Sequence, residues 1–372
     1  MNNNTLSIID KWRNLSSANY RPLQASLELT NRCNERCTHC YLPSYKDDQE
    51  RILSKEKWFE ILAELRQAGV LYLILMGGEA MLNPLFWPIA QEASRLGFSL
   101  AMITNGLLIT EQSAKKLADT GFSDITISFY SLNPEIHDRM TKVYGSQRRT
   151  QKAIEICLKN NLRVGVNCLL TEANIDSYFE LADWCIDRKI EIKFDPIITP
   201  KFGGDLEPTK FRAKPDQLRR FYRRLVDKWP DGCPQPAMDS SDGHVCNAGK
   251  GKCAVTAYGE LLTCIDIREP IGDLTKNKFA DIWNNYVGRK WREFKNRDIK
   301  GLDKLTGSFC DHCPGMAFNE VGDPMQATDY SKMLAQIKYE TYQYANKRKI
   351  GDGNEKNSEN KSHEEQKEVS AT

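Results

Sequence analysis

Six short apolar runs, each followed by a longer amphipathic segment, recur between Ser26 and Asp195, and this alternation constrains the fold more than any other feature of the chain. The runs are Ser26 to Leu29, Leu71 to Met76, Ser99 to Thr104, Asp124 to Phe129, Arg163 to Leu170 and Glu191 to Asp195. Between them the spacing predicts helices, such as Lys55 to Gln67 with Trp58, Ile61, Leu62 and Leu65 on one stripe, and Gln112 to Thr120 closed by Gly121. Strands separated by helices run parallel in one sheet, because a parallel connection needs a dozen or more residues. About six such units over roughly 200 residues predict an α/β fold, a partial (β/α)6 barrel, with site residues at the C-terminal ends of its strands. An open doubly wound sheet fits the same periodicity, so the cysteines have to decide.

The 372 residues, 40 % of them hydrophobic, can bury one large core or two unequal ones. A net charge of +2 and the lack of a long basic run argue against a nucleic-acid partner. No run approaches the length of a membrane span, and Met1 to Lys11 lacks the order of a signal peptide, so the expected location is cytoplasmic with no membrane partner. Twelve cysteines are too sparse for a disulfide scaffold in a chain of this length, and their clustering points to metal or redox chemistry.

Composition shifts divide the chain further. Residues 1–22 form an N-terminal extension, 23–200 the partial barrel, and 201–239 a bridging segment with a Gly- and Pro-containing loop and a helix from Asp216 to Lys228. A smaller domain is expected over 240–330, where Ala254 to Cys264 reads as strand, turn at Gly259, and strand, followed by a helix around Phe279 to Phe294. A C-terminal helix over 331–345 precedes residues 346–372, too poor in apolar side chains to fold and expected to be a disordered tail.

Directly after the first strand stand Cys33, Cys37 and Cys40, spaced C-x3-C-x2-C. Three thiolates on one loop can hold three corners of an iron-sulfur cluster, whereas a structural zinc site uses four closed ligands. One iron is left without a protein ligand. At the end of the second strand, Gly77-Gly78-Glu79 combines two glycines that let the backbone approach a ligand with a carboxylate able to accept a charge-assisted hydrogen bond from an ammonium group.

The cysteine spacing, with an aromatic residue (His39) just before the last cysteine, resembles the radical S-adenosylmethionine enzymes. The resemblance implies that Cys33, Cys37 and Cys40 bind a four-iron four-sulfur cluster whose open iron is chelated by the amino and carboxylate groups of S-adenosylmethionine. The family's Gly-Gly-Glu-Pro motif falls at Gly77, Gly78 and Glu79, with Ala80 in place of the proline, and implies contact with the methionine amino group. Thr104-Asn105-Gly106 ends the third strand. By the same resemblance His39, Ser128 and Asn167 belong to the cofactor site, the last two facing its ribose or carboxylate; as core or turn residues Ser128 and Asn167 need no such role.

A second set comprises Cys246, Cys253, Cys264, Cys310 and Cys313, and resembles the C-terminal SPASM extension of these enzymes in its shortened, one-cluster twitch form. The resemblance implies an auxiliary four-iron four-sulfur cluster on Cys246, Cys264, Cys310 and Cys313, with Cys253 a fifth thiol; a four-cysteine zinc site has the same spacing. Cys157, Cys168 and Cys185 read as small buried hydrophobes. Cys233 reads as a surface thiol, with donation of a hydrogen atom to a substrate radical as the alternative.

What the family resemblance implies for chemistry is reductive cleavage of S-adenosylmethionine to a 5'-deoxyadenosyl radical that takes hydrogen from a substrate. The string from Cys313 to Pro324 and the segment Lys193-Phe194-Asp195-Pro196 look like the peptide-modifying members, so the implied substrate is a ribosomally made peptide precursor, changed by crosslinking, excision or epimerisation. Only about 25 residues precede the first strand, too few for a leader-binding domain, so a separate small leader-binding protein is expected, with an electron donor such as flavodoxin or ferredoxin. A radical dehydrogenase or haem-pathway enzyme acting on a small molecule is the alternative, and a non-enzymatic iron-sulfur electron carrier the remoter one.

Overall fold

The computed structural model describes residues 11, 15–237, 243–286 and 290–348. Six of its strands follow one another in sequence and in space: β1 (Gln24–Glu28), β2 (Tyr72–Met76), β3 (Ser99–Thr104), β4 (Phe122–Ser128), β5 (Val164–Leu169) and β6 (Glu191–Asp195). Every neighbouring pair among them is parallel. Helices lie between them, α1 (Lys55–Gln67), α2 (Phe86–Arg95), α3 (Glu111–Thr120), α4 (Pro134–Thr141), α5 (Ser146–Lys159) and α6 (Tyr178–Asp187).

The local sequence sets the helix ends. Ser54 accepts from the Lys57 amide at 3.2 Å ahead of α1, and Thr110 and Ser113 close a reciprocal capping box on α3, which ends at Gly121 with φ +86°. Trp58, Ile61, Leu62 and Leu65 are buried on α1 as their spacing predicts, each such side chain contributing about 1.5–3 kcal/mol against exposure.

Strand alternation then divides the sheet into two faces. On β3, Leu100, Met102 and Thr104 are buried while Ser99, Ala101 and Ile103 remain half-buried. The half-buried set lines cavities, Ser99 and Ala101 at the N-terminal half of the strand and Ile103 at the C-terminal half. The sheet is open: β6 forms one edge, so the expected partial barrel stands.

β7 (Lys252–Val255) pairs parallel with β1, and β8 (Glu260–Leu262) and β9 (Gly272–Asp273) follow antiparallel, giving one nine-stranded sheet in the order β6-β5-β4-β3-β2-β1-β7-β8-β9. The described residues fall into two compact units, one within 1–213, 242–298 and 313–326, the other within 214–241, 299–312 and 327–372. The first also holds α8 (Phe279–Asn284) and α9 (Pro314–Val321). The second contains α7 (Pro215–Lys228) and a helix over 329–348, joined by an ion pair between Arg219 and Glu340 at 3.0 Å. Its core of Val226, Cys233 and Ala345 corrects the reading of Cys233 as a surface thiol: the cysteine follows the last turn of α7 and is buried. Cys157, Cys168 and Cys185 are buried as expected. Residues 349–372, most of the expected tail, lie outside the described residues, and 346–348 are helical.

Candidate active site

The loop after β1 brings Cys33, Cys37 and Cys40 to the wall of one cavity of about 310 Å³ at the C-terminal ends of the parallel strands. Elements on both sides fix this loop. Arg36 and Thr38 donate their amides to the Thr141 and Met140 carbonyls at 3.0 and 2.9 Å. On the other side the Gly78 amide donates to the Thr30 carbonyl and the Glu79 amide to the Arg32 carbonyl, both at 2.8 Å.

That second pair explains the two glycines. A Cβ on Gly77 would lie 2.4 Å from the Thr30 carbonyl oxygen, and one on Gly78 would lie 2.4 Å from that of Arg32. Gly77 and Gly78 line the cavity, yet the close approach they permit is to the cysteine loop itself.

Glu79 is completely buried and is not among the residues lining the cavity. Its carboxylate accepts from the Thr104 hydroxyl at 2.8 Å, the Asn105 amide at 3.0 Å and the Met81 amide at 3.3 Å. Burial raises its pKa, and these three donors work in the opposite direction. The structure therefore places Glu79 as a tie between the ends of β2 and β3.

Ser128 and Asn167 are register partners on β4 and β5 and both line the cavity. His39 lines it too, with Nε2 3.1 Å from the Tyr130 hydroxyl and its ring edge-on to the tyrosine. Burial, with His137 nearby, holds the His39 imidazole down at about 4. Among the polar lining residues, Glu35, Tyr130 and Asp266 were not singled out by sequence reasoning, and Asn105 was marked only as part of a strand-end string. Asn105 donates to the Asn34 side chain at 2.6 Å and reaches the Cys33 sulfur at 3.8 Å. The Thr104-Asn105-Gly106 string was the signal for it. Glu35, inside the cysteine motif, accepts from the Cys37 thiol at 3.3 Å, and burial pushes its carboxyl up to about 7.

The donor set fits an iron-sulfur cluster. Burial pushes the Cys33 thiol up to about 12 and those of Cys37 and Cys40 upward as well. Ligation needs thiolates, so cationic iron has to supply the compensating charge. The Glu35 amide, 3.4 Å from the Cys33 sulfur, and the Asn105 side chain are donors ready for that thiolate. Among the described residues no three His, Cys, Asp or Glu side chains converge on one metal ion.

In the same unit, Cys246 and Cys264 pack in a cluster with Ile267, Tyr286 and Trp291. The Cys264 thiol lies 3.7 Å from Asp266 Oδ2, and burial pushes it up to about 11. The negative charges of Cys264, Cys246, Asp266 and Cys313 raise the pKa of Lys252, Cys264 most strongly, against the opposing effect of burial. Cys253 is not brought to them: its thiol is buried against β1, 3.9 Å from the Gln24 carbonyl. Cys310 lies in the other unit, where burial pushes its thiol up to about 11.

A sheet of parallel strands with three loop cysteines at its C-terminal mouth defines a cluster-bearing α/β enzyme. Residues 27–185 match the radical SAM superfamily, and residues 246–314 match an iron-sulfur cluster-binding domain, SPASM. The chain is 31 % identical to the PqqA peptide cyclase of Rhizobium meliloti over 296 residues, 73 % of this chain and 77 % of that one. It is 23 % identical to the AdoMet-dependent heme synthase of Methanosarcina barkeri over 83 % of this chain and 96 % of that one. Among solved structures, Streptococcus suis SuiB bound to its precursor peptide SuiA shares the fold with a TM-score of 0.65, at 18 % identity over 88 % of this chain and 82 % of that one. The chain belongs to the radical SAM superfamily: it is an enzyme whose cofactors are S-adenosylmethionine and iron-sulfur clusters. No described helix is long and apolar enough to cross a membrane.

Proposed function

We propose that this enzyme modifies a ribosomally made peptide precursor. The observation that carries the reading is the 31 % identity to a peptide cyclase over most of both chains; the fold shared with SuiB, solved with a precursor peptide, agrees with it. The heme synthase relative, at lower identity, keeps a small-molecule substrate as the second reading.

In this reading Cys33, Cys37 and Cys40 hold the cluster that binds S-adenosylmethionine, and Cys246, Cys264 and Cys313 serve one auxiliary cluster, without Cys253. When bound, these groups supply a 5'-deoxyadenosyl radical that takes hydrogen from the substrate. The protein's part is orientation and the exclusion of water. Ser128, Asn167 and His39 bind and orient S-adenosylmethionine from the cavity wall. Gly77 and Gly78 hold the cysteine loop close, and Glu79 fixes Asn105, whose side chain reaches the Cys33 sulfur. Glu79 contributes to the site through Asn105 and offers the cofactor's ammonium group at most one remaining acceptor position.

A separate small protein presents the leader as an added strand. A flavodoxin or ferredoxin supplies the electron in the cytoplasm. The test is to co-express the chain with the short open reading frames beside its gene, with and without any neighbouring small protein, and weigh the peptides. Loss of two hydrogens marks a crosslink or oxidation, a gain of one in deuterium oxide marks epimerisation, and a larger loss marks excision. Unchanged peptides together with turnover of a porphyrin or sugar would replace the peptide reading with the small-molecule one.

A further inference from the structure

A second cavity of about 540 Å³ lies in the same unit, and the function proposed above does not use it. It is enclosed by the residues before β1, the last turn of α1, and α8. Pro22 and Ala68 precede the N-terminal ends of β1 and β2, whereas Cys33 and Gly77 follow their C-terminal ends. A five-residue strand therefore stands between this cavity and the cysteines, about 17 Å of chain.

Its walls are held firmly. Phe279 and Trp283 stack with ring centroids 5.5 Å apart, and the Trp283 indole donates to the Tyr20 carbonyl at 2.7 Å. Tyr20 has φ +53°, a conformation that residues with a side chain rarely adopt, and its amide donates to the Ser17 carbonyl at 3.2 Å. Its ring lies over the guanidinium of Arg292, which is only 6 % exposed and also stacks on Trp283. The cavity is cationic as well as aromatic. Arg21 and Lys278 are exposed at its rim, and neither has an ion pair with a carboxylate among the described residues. Glu64 is the only acid in the lining, and one of its oxygens accepts the Phe279 amide at 2.6 Å.

We propose that this cavity binds an acidic segment of a peptide. An aromatic or branched side chain enters beside Tyr20 and Trp283, and flanking carboxylates meet Arg21 and Lys278. The inference rests on the peptide-modifying function proposed above: it gives the precursor a second hold on the enzyme, remote from the bond that changes. At about 3.3 Å per extended residue, at least about five residues separate the held segment from the one at the cysteines. A hold of this kind raises the effective concentration of the reacting segment.

The test uses the full chain with its clusters reconstituted and a fluorescein-labelled peptide of about twelve residues, glutamate alternating with leucine and phenylalanine, beside its lysine-for-glutamate counterpart. Both mutated residues are exposed, so Arg21→Glu with Lys278→Glu should keep the melting temperature and the rate of S-adenosylmethionine cleavage. The expected result is binding of the acidic peptide alone, weakened by salt and reduced about tenfold or more in the double variant. Equal binding by the two proteins, or none by the wild type, overturns the proposal. If neighbouring-gene peptides are modified equally well by both proteins, the cavity assignment fails and the peptide function stands. If the acidic peptide binds as expected while no precursor is ever modified, the peptide function fails and the cavity remains a peptide site.

Discussion

Replacing Gly78 with alanine separates two roles for the glycine pair. The added Cβ would lie 2.4 Å from the Arg32 carbonyl oxygen and 2.6 Å from that of Asn31, and both are backbone atoms with no flexible end to swing away. Either the cysteine loop or the end of β2 has to move. Such overpacking costs about 1–3 kcal/mol. The movement also strains the two amide bonds from Gly78 and Glu79, worth about 0.5–1.5 kcal/mol each. The combined loss is about 2–6 kcal/mol, which lowers the melting temperature by about 3–8 °C in a chain of this size. Because the displaced segment carries Cys33, iron bound per chain should fall together with stability. Thermal melts of the protein without clusters, followed by iron assay after anaerobic reconstitution, measure both. A Gly78→Ala protein that melts with the wild type and takes up full iron, losing only affinity for S-adenosylmethionine, would refute the reasoning and make the glycines a ligand-approach device.

Three further outcomes follow from buried groups. Glu79→Gln turns an amide NH2 toward donors that need an acceptor, so stability should fall by about 1–3 kcal/mol and calorimetric affinity for S-adenosylmethionine roughly tenfold; an unchanged melt and affinity would remove Glu79 from the site. Arg268→Met leaves the Glu28 carboxylate, buried at the end of β1, without its bidentate partner, a cost of about 3–5 kcal/mol that Glu28→Gln should largely restore in the double variant; an additive double variant would contradict the pairing. Burial holds the His137 imidazole down at about 4, against an ordinary value of 6.5. The unfolded chain thus binds the proton first. The stability due to neutral His137 is present above pH 6.5 and lost as pH falls toward 4, by about 1.4 kcal/mol per unit; denaturant midpoints of His137→Phe should show a shallower fall over that window, and an identical slope would place the acid sensitivity elsewhere.

Much of this was legible in the sequence, for definable reasons. The parallel strands announced themselves because each apolar run is bounded by a helix with its own caps, such as Thr110 and Gly121, and those signals are local. The cysteine loop was legible because its ligands are contiguous in sequence. What escaped depends on partners far away in the chain. β7 reads as a short strand, but nothing within Lys252 to Val255 says that it extends the sheet by pairing with β1. Glu79 reads as a ligand-facing carboxylate, and nothing in its own segment announces that Thr104 and Asn105 donate to it. Cys253 and Cys246 are alike as residues. Strand register buries the first against β1, while the second joins Cys264.

The measurement that bears most directly on the central claim is cleavage of S-adenosylmethionine by anaerobically reconstituted, chemically reduced protein, with iron counted in the same sample. Wild-type protein is expected to hold about eight irons per chain, four for each of two clusters, and to release 5'-deoxyadenosine and methionine in equal amounts. The Cys33→Ala, Cys37→Ala, Cys40→Ala triple variant is expected to keep about half of that iron and to release neither product. Full iron content in the wild type without any 5'-deoxyadenosine, or cleavage that survives in the triple variant, would contradict the assignment of the β1 loop as the radical-forming site.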